Sequence, residues 1–375
     1  MYCKAISVRN FRNIEEAEIS FCEGVNILAG ENAQGKTNLL EAIFYPSVGR
    51  SFRGAHTPEI IRFGEKTAHI HMEYRDRKRD QTIDIRLSRD KQRQIEKNGL
   101  RLDKLSELVG SFRAVLFCPE HLSMIKDGPS ERRSYMDIAI SSLYPSYLYS
   151  LQTYSHLLRQ RNALLKSAWQ DRGAFDSTVE LWSEKLAHEA AVISDMRLQF
   201  AKRASRHVAA CFAEMMGEKE IPSLVFHGSS GQKEEEYADR ETTKKKYYSL
   251  LTSSYDREIA AGATLWGIHK DDLDICLNGK SARIYGSQGQ QRSLALAMKL
   301  AEGEICKEEF GDYPVFLFDD VLSELDASRR EYLLHKIKGK QVIMTSCEPN
   351  LLADTEGVQR IVVKNGSYFS FAKEK

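Results

Sequence analysis

Residues 30 to 37 read Gly-Glu-Asn-Ala-Gln-Gly-Lys-Thr and match the phosphate-loop pattern G-x-x-x-x-G-K-S/T at every fixed position. The preceding run, Val25 to Ala29 (VNILA), is apolar, which is typical of a buried strand. The following run, Thr37 to Tyr45, has apolar residues at helical spacing. The loop is therefore predicted to join a strand to a helix N-terminus, where unpaired backbone N–H groups favour a bound phosphate.

The chemistry of the loop predicts a nucleoside triphosphate site. Gly30 and Gly35 let the backbone curl around an anion, and Lys36 reaches the terminal phosphates. The Thr37 hydroxyl can ligate Mg²⁺. The predicted nucleotide-binding residues of the loop are Gly30, Glu31, Asn32, Ala33, Gln34, Gly35, Lys36 and Thr37. A chance match in a glycine-rich turn is the alternative, and the flanking strand and helix disfavour it.

Composition sets limits on the class of protein. The 375 residues suffice for two or three domains, and the net charge of +1 gives no overall basic field, so contact with DNA must come from local patches. The seven cysteines are scattered without a C-x-x-C pair, which argues against a disulfide framework or a zinc site. No segment approaches the roughly twenty apolar residues of a membrane span. We expect a cytoplasmic protein.

Three parts are predicted along the chain. Residues 1–117 read as a β-rich ATPase lobe, 118–255 as a mainly α-helical lobe or arm, and 256–375 as the completion of the ATPase. Helices are expected over 130–143, 147–169 and 176–216, and a loop over 228–246. The basic stretch Ala68 to Leu102, with a hairpin turn at Asn98-Gly99, favours a solvated sheet face, with DNA contact as the alternative.

A second set of acidic residues lies far along the chain. The run Pro314 to Asp320 (PVFLFDD) is an apolar strand that ends in two adjacent carboxylates. The strand should place Asp319 and Asp320 at the sheet edge that faces the phosphate loop. Asp319 would hold Mg²⁺ through water, and Asp320 would polarise the attacking water. The alternative is a strand end with two solvated acids.

A second anion-binding element is predicted at residues 285 to 292, Tyr-Gly-Ser-Gln-Gly-Gln-Gln-Arg, which precede a helical run. Ser287 and Gly289 place a hydroxyl and backbone N–H groups at a helix N-terminus. Because one γ-phosphate does not need two such cradles from one subunit, we infer a two-fold dimer in which this element closes over the partner's nucleotide. A glycine turn beside a helix is the alternative.

Together these motifs carry a family resemblance. GENAQGKT, SQGQQR and LFDDVLSELD, in this order, resemble the ATP-binding-cassette ATPases of the SMC type, and within them the RecF family. Further matching segments are NFRN at 10–13, GRSFR at 49–53, FCPEHLSMIKDGPSERRSYMD at 117–137 and GIHKDDL at 267–273. The resemblance implies an α/β phosphate-loop ATPase domain of the SMC-head type with an inserted α-helical arm.

The resemblance also implies residue roles. Ser287, Gln288, Gly289 and Gln290 look like the signature motif, Asp319 like the Walker B aspartate and Ser323 to Asp326 like the D-loop. Lys36 and Asp320 are the implied catalytic residues. Asp320 stands where cassette ATPases usually have a glutamate, and its shorter side chain fits slow hydrolysis that acts as a timer.

The chain departs from the family pattern at three places. The switch histidine of the cassettes is replaced within Met344-Thr345-Ser346, and no Q-loop glutamine occurs in Phe117 to Ile125. GIHKDDL stands where members commonly have GPHRDDL, so Lys270 cannot make the bidentate contact of an arginine.

For function, the resemblance implies an ATP-dependent homodimer that clamps double-stranded DNA at gaps or double/single-strand junctions. It implies a weak DNA-dependent ATPase of recombinational repair and replication restart, which helps load RecA with RecR and RecO as partners and has no membrane role. The alternatives are the cytosolic ATPase subunit of a membrane transporter and a monomeric phosphate-loop kinase or NTPase. The missing switch histidine disfavours the first, and the helical arm and Ser287 disfavour the second.

Overall fold

The protein divides into two units. The first unit contains Met1–Leu122, Glu214–Gly217 and Ala295–Lys375, and the second contains Ser123–Ala213 and Glu218–Leu294. These units come from a computed structural model in which residues 1–232, 237, 239–348 and 357–371 are described. The second unit is therefore inserted in the chain between parts of the first.

The first unit holds most of the strands, and long helices dominate the second. The strands are β1 (Tyr2–Phe11), β2 (Ile14–Ser20), β3 (Val25–Ala29), β4 (Thr67–Arg75), β5 (Asp80–Ser88), β6 (Gln94–Lys97), β7 (Leu100–Leu102), β8 (Ala114–Phe117), β9 (Pro222–His227), β10 (Asp272–Leu277), β11 (Lys280–Ser281), β12 (Val315–Phe318), β13 (Val342–Ser346), β14 (Val358–Lys364) and β15 (Ser367–Phe371). The helices are α1 (Lys36–Val48), α2 (Thr57–Ile60), α3 (Leu105–Leu108), α4 (Ser123–Lys126), α5 (Pro129–Leu143), α6 (Pro145–Ser167), α7 (Arg172–Met216), α8 (Arg240–Thr252), α9 (Tyr255–Ala261), α10 (Ala282–Tyr285), α11 (Gln288–Phe310) and α12 (Ala327–Lys336).

One sheet of the first unit is antiparallel, with strand order β2-β1-β4-β5-β6-β7. Its strands alternate between buried and exposed residues, and in β4 the buried face is Ala68, Ile70, Met72 and Tyr74. Between β6 and β7, Asn98 and Gly99 have φ angles of 52° and 75°. Two positive φ angles match the type I′ turn that favours a tight hairpin. The predicted hairpin turn is confirmed.

The other sheet of the first unit has the order β15-β14-β3-β13-β12-β8. Its pairs are parallel except for β14 with β15. Every residue of β8, β12 and β13 is buried, which explains why β8 and β12 read as unbroken apolar runs. The order places β13 between β3 and β12, so the strand before the phosphate loop and the strand before Asp319 share one neighbour.

The second unit is built on an antiparallel helical hairpin. Near one end, Arg161 Nε of α6 donates to Ser183 Oγ of α7 over 3.1 Å. Further along, Arg197 Nε of α7 donates to the Tyr147 hydroxyl of α6 over 3.0 Å. Between these two contacts the residue number rises along α7, from Ser183 to Arg197, and falls along α6, from Arg161 to Tyr147. The two helices are therefore antiparallel. The α7 helix is 45 residues long and starts at Arg172, before the predicted start at residue 176.

Two predictions differ from the structure of this unit. The stretch 228–246 was predicted to be a loop, but α8 begins at Arg240, because Asp239 caps its first turn and Thr243, Tyr247 and Leu251 bury one face. Residues 233–236 and 238 of that stretch lie outside the described residues. The predicted boundary between 255 and 256 also differs, since β10 pairs with β9 and keeps this part of the chain in the second unit.

Buried ion pairs organise the second unit. Arg161 Nη2 lies 2.6 Å from Glu258 Oε2, and both side chains are fully buried. Arg197 contacts Asp271 at 2.9 Å and Asp137 at 2.8 Å, and Arg197 and Asp271 are also buried. Burial raises the pKa of Asp271, although the Arg197 charge opposes this. The Asp271 carboxylate of the GIHKDDL segment is therefore part of the internal framework.

Candidate functional site

The phosphate loop occupies the predicted turn between β3 and α1. Gly35 is the N-cap of α1 with a φ of 111°, a conformation that L-residues rarely adopt. A Cβ atom at Gly35 would lie 2.9 Å from Asn13 Oδ1, and one at Gly30 would collide with the Val363 carbonyl oxygen. Both glycines are thus required by the backbone path, and the N-terminal N–H groups of α1 face the loop.

The Lys36 ammonium lies over the loop. Its Nζ donates to the carbonyl oxygens of Gly30 at 2.5 Å and Glu31 at 2.8 Å, and it lies 3.4 Å from Cys347 Sγ. The side chain is 7% exposed. A cation held this way is preorganised for an anion in the loop, because a phosphate oxygen can replace a carbonyl acceptor.

A chain of hydrogen bonds connects the loop to the acidic pair. Thr37 Oγ1 donates to Asp319 Oδ1 over 2.9 Å. Thr345 Oγ1 donates to the same oxygen over 2.8 Å and accepts the backbone N–H of Asp320, also over 2.8 Å. The structure therefore brings together Thr37 and Asp319, which were predicted from distant motifs, and adds Thr345 between the two acids.

The electrostatics of Asp319 reflect this setting. Burial raises the pKa of Asp319, and the hydrogen bonds from Thr345 and Thr37 oppose this rise. The charges of Glu120 and Asp320 raise it further. A divalent cation would favour the ionised form of a carboxylate in such a place, because it supplies the opposite charge that the site lacks. The pair Thr37 and Asp319 thus has the oxygen donors that Mg²⁺ prefers.

Two segments to which no role was assigned, NFRN and GRSFR, make hydrogen bonds to α1. Arg12 of NFRN makes two hydrogen bonds to buried Glu41, at 2.9 and 2.8 Å, and Ser51 of GRSFR also donates to Glu41. Asn38 Nδ2 donates to Asn13 Oδ1 over 2.7 Å. The charged pair of Arg12 with a mid-helix glutamate was not visible in the sequence, because nothing local relates residue 12 to residue 41.

An open cleft of about 800 Å³ lies beside the first turn of α1. Its lining combines four arginines, the two asparagines near the loop and an exposed aromatic ring: Arg12, Asn13, Asn38, Arg53, Pro58, Glu59, Ile61, Arg62, Phe63 and Arg89. Phe63 is 99% exposed. The cleft is therefore basic and presents one free ring face next to the phosphate loop.

The signature-like segment belongs to the second unit. Ser287 Oγ accepts the Gln290 N–H over 3.2 Å, and Gln290 Oε1 accepts the Ser287 N–H over 2.7 Å. This reciprocal pair is a capping box at the start of α11. Gln288 and Gly289 lie in the first helical turn, so the helix begins within residues 285 to 292, which were predicted to precede it. Ser287 and Gln288 are exposed.

The D-loop-like segment connects β12 to α12. Ser323 Oγ donates to the Asp320 carbonyl over 2.7 Å. Asp326 is the N-cap of α12 and accepts the Arg329 N–H at 3.0 Å. Asp320 itself has a φ of 51°. These local bonds define the turn that follows the acidic pair.

Two segments lack residues that cassette ATPases usually carry, the switch histidine and the Q-loop glutamine. Met344-Thr345-Ser346, where the switch histidine is replaced, forms the end of β13, and the next residue, Cys347, lies 2.9 Å from Asn32 Oδ1 of the phosphate loop. In Phe117 to Ile125 the chain has no glutamine. The Asp319 N–H donates to the Phe117 carbonyl over 2.9 Å, and Glu120 follows in a 3₁₀ turn.

The described residues contain neither a membrane-spanning helix nor a cluster of metal-ligating side chains. Over 1–232, 237, 239–348 and 357–371, no helix is long and apolar enough to cross a membrane. Within the same ranges, no group of three or more His, Cys, Asp or Glu side chains is arranged to hold a metal ion. Any Mg²⁺ at Thr37 and Asp319 would therefore need ligands from the nucleotide and water.

Comparison with known proteins identifies the family. The family model of the RecF/RecN/SMC N terminal domain matches residues 2–368. A DNA replication and repair protein RecF from Thermoanaerobacter sp. (strain X514) is 40% identical over 345 residues, which cover 92% of this chain and 94% of the relative. The chain belongs to the RecF family. The resemblance predicted from the motifs is confirmed.

Solved structures of related proteins resemble this chain along its whole length. The recombination mediator protein RecF-ATP in the RecFOR pathway superposes with a TM-score of 0.90 at 36% identity, covering 99% of each chain. The Smc head domain from Pyrococcus furiosus, solved with the C-terminal domain of ScpA, gives a TM-score of 0.56 at 16% identity and covers 99% of this chain and 96% of that one. The second likeness shows the fold alone. The predicted α/β phosphate-loop fold of the SMC-head type with a helical insertion is confirmed.

Proposed function

We propose that this RecF-family chain is an ATP-gated DNA clamp of recombinational repair and replication restart, acting in the cytoplasm. The observation that carries the proposal is the 2.9 Å hydrogen bond between Thr37 of the phosphate loop and Asp319 after β12. It joins the two halves of a nucleotide site that the sequence keeps far apart. Relatives named as DNA replication and repair proteins support the biological setting.

ATP and Mg²⁺ fit the residues of the first unit. The loop Gly30 to Thr37 and the Lys36 ammonium would hold the phosphates, while Thr37 and Asp319 would hold Mg²⁺. Bound Mg²⁺ would neutralise charge that develops on the phosphates. The basic cleft with Phe63 would take the ribose and base, since an exposed ring offers a stacking face and the arginines attract the anion.

Asp320 would orient and polarise the attacking water. Its carboxylate sits on one carbon fewer than the glutamate usual in cassettes, so it reaches a water less well. We expect slow, DNA-dependent hydrolysis that serves as a timer for release.

The signature segment supports an ATP-dependent homodimer. In the capping box the Ser287 oxygen accepts a hydrogen bond, which leaves its own hydroxyl hydrogen to be donated outward. The exposed N-terminus of α11 adds backbone N–H groups and the positive end of the helix dipole. Ser287, Gln288, Gly289 and Gln290 would close over the γ-phosphate held by a partner subunit.

The dimer would grip duplex DNA at gaps or junctions through backbone phosphates, with steep salt dependence and little sequence preference. RecR and RecO would act as partners in helping to load RecA, which agrees with the RecFOR pathway named for the solved relative. Hydrolysis would then release the clamp.

The decisive experiment measures DNA retention at moderate salt with ATP, ADP and a slowly hydrolysed analogue, and follows oligomeric state by sedimentation. We expect a dimer and DNA retention with ATP and the analogue only. Lys36→Met should abolish the nucleotide effect, and Ser287→Arg should keep ATP binding but lose the dimer. Equal retention in all nucleotide states would favour a monomeric NTPase instead. Unchanged dimer formation and DNA binding by Ser287→Arg would reject the clamp.

A further inference from the structure

Thr345 occupies an unusual place among the buried hydroxyls of the first unit. It lies on β13, which is paired with β3 on one side and β12 on the other. Its side chain is 3% exposed. From this position the hydroxyl reaches two consecutive acidic residues, one through a carboxylate and one through the backbone.

The direction of each hydrogen bond at Thr345 is determined. The Asp320 N–H can only donate, so Thr345 Oγ1 accepts at 2.8 Å. The single hydroxyl hydrogen of Thr345 is then free for Asp319 Oδ1, also at 2.8 Å. The same oxygen of Asp319 accepts from Thr37 at 2.9 Å. One hydroxyl therefore orients the carboxylate of Asp319 and fixes the backbone of Asp320 at once.

The hydrogen bond to Thr345 also stabilises the backbone of Asp320. Its φ of 51° lies in the left-handed region, which costs an L-residue energy although aspartate adopts it more readily than most. This conformation lies in the turn that follows β12, directly after Asp319. Without the acceptor at Thr345, the Asp320 N–H would lose its hydrogen bond and the turn would relax.

We propose that Thr345 is a positioning residue that aligns Asp319 and Asp320 for ATP hydrolysis. The inference rests on the proposed ATPase function. In this chain β13 acts on the reaction through the acidic pair, whereas Cys347, after the strand end, contacts the phosphate loop itself. Because the Thr345 hydroxyl bonds to Asp319 and to the Asp320 backbone rather than to the phosphate loop, its removal should slow turnover with little change in nucleotide binding.

Three variants test this inference. Thr345→Val keeps the branched shape and removes the hydroxyl, and Thr345→Ser keeps the hydroxyl. Ser47→Ala is the matched control, because Ser47 is also buried in the first unit but its hydroxyl donates to the Phe44 carbonyl of its own helix, α1. Steady-state ATPase assays, Mg²⁺-ATP binding by a fluorescent analogue and thermal unfolding are measured for each protein.

Thr345→Val should lower kcat about 10- to 100-fold, since a misaligned catalytic group costs rate steeply, with KM changed less than about threefold. Thr345→Ser should restore kcat to within about threefold of the parent protein. Ser47→Ala should leave both constants unchanged. A Thr345→Val protein with normal kcat overturns the inference, as does a loss of kcat that Thr345→Ser does not rescue. If the parent protein itself hydrolyses no ATP, the proposed function fails first, and the two failures are thereby distinguished.

A purely structural role of Thr345 would give another pattern. In that case Thr345→Val would lower the thermal midpoint and weaken nucleotide binding together, in proportion to the lost activity. We expect analogue binding and its Mg²⁺ dependence to remain near those of the parent protein. Parallel loss of stability, binding and kcat therefore also rejects the positioning role.

Discussion

The Thr37 hydroxyl donates a hydrogen bond to Asp319 Oδ1 over 2.9 Å, across 282 residues of chain. The contact exists because β13 separates β3 from β12 by a single strand, so the ends of β3 and β12 point to the same edge of the sheet. Both side chains offer oxygen to a cation at that edge.

Exchange of the acidic residues should separate their roles. Asp319→Asn keeps the shape and the acceptor for Thr37 but removes the charge that attracts Mg²⁺. We expect the Mg²⁺ dependence of nucleotide binding to disappear and turnover to fall about 100-fold or more. Asp320→Asn should keep Mg²⁺-dependent binding and lose only turnover. Titration of Mg²⁺ against a fluorescent nucleotide checks both, and identical behaviour of the two variants would contradict the assignment.

The ion pair of Arg197 with Asp271 predicts a large stability effect. Arg197→Met removes the guanidinium from two carboxylates, one of them fully buried, and should destabilise the protein by about 3–5 kcal/mol. The exposed pair of Arg172 with Asp176 provides the control, since solvent screens it, and Arg172→Met should leave the urea midpoint almost unchanged. Similar midpoints for the two variants would show that the buried network contributes nothing.

His269 predicts the direction of a pH effect. Burial lowers its pKa from 6.5 to about 4, and its ring bonds to the Tyr154 hydroxyl and the Thr264 carbonyl as a neutral group. Between these values the unfolded chain binds the proton and the folded chain does not, so stability falls as the pH falls. The expected loss is about 3 kcal/mol from this residue. Urea unfolding at pH 7 and pH 4.5 should show a smaller difference for His269→Gln than for the parent protein. An equal pH dependence would contradict the buried neutral imidazole.

The capping box at Ser287 predicts that helix stability and dimer formation can be compared directly. Ser287→Ala removes an N-cap and should cost about 1 kcal/mol of stability, and it should also abolish the ATP-dependent dimer. Ser287→Thr keeps the oxygen and should retain both. Sedimentation with ATP and thermal unfolding measure the two effects. A dimer that forms normally in Ser287→Ala would restrict Ser287 to a capping role.

Local sequence patterns predicted the elements whose residues interact mainly with residues nearby in the sequence. The run VNILA was predicted to be a strand, and β3 covers the same residues, Val25–Ala29. Local sequence also predicted the loop from Gly30, the Asn98-Gly99 turn and the strand before Asp319. Glycines, β-branched runs and adjacent carboxylates are signals that a short stretch of sequence contains by itself. The helix α8 was missed, since its polar composition conceals the apolar spacing of Tyr247 and Leu251.

The sequence by itself predicted a phosphate loop, an acidic strand end and a signature-like segment at a helix N-terminus, and these motifs indicated the family. Only the tertiary structure decided that Thr345 lies between Asp319 and Asp320 and that Asp271 is an internal ion-pair partner. The physical reason is the range of the forces involved. Backbone preferences act over a few residues, whereas sheet order and burial bring together side chains that no local pattern relates.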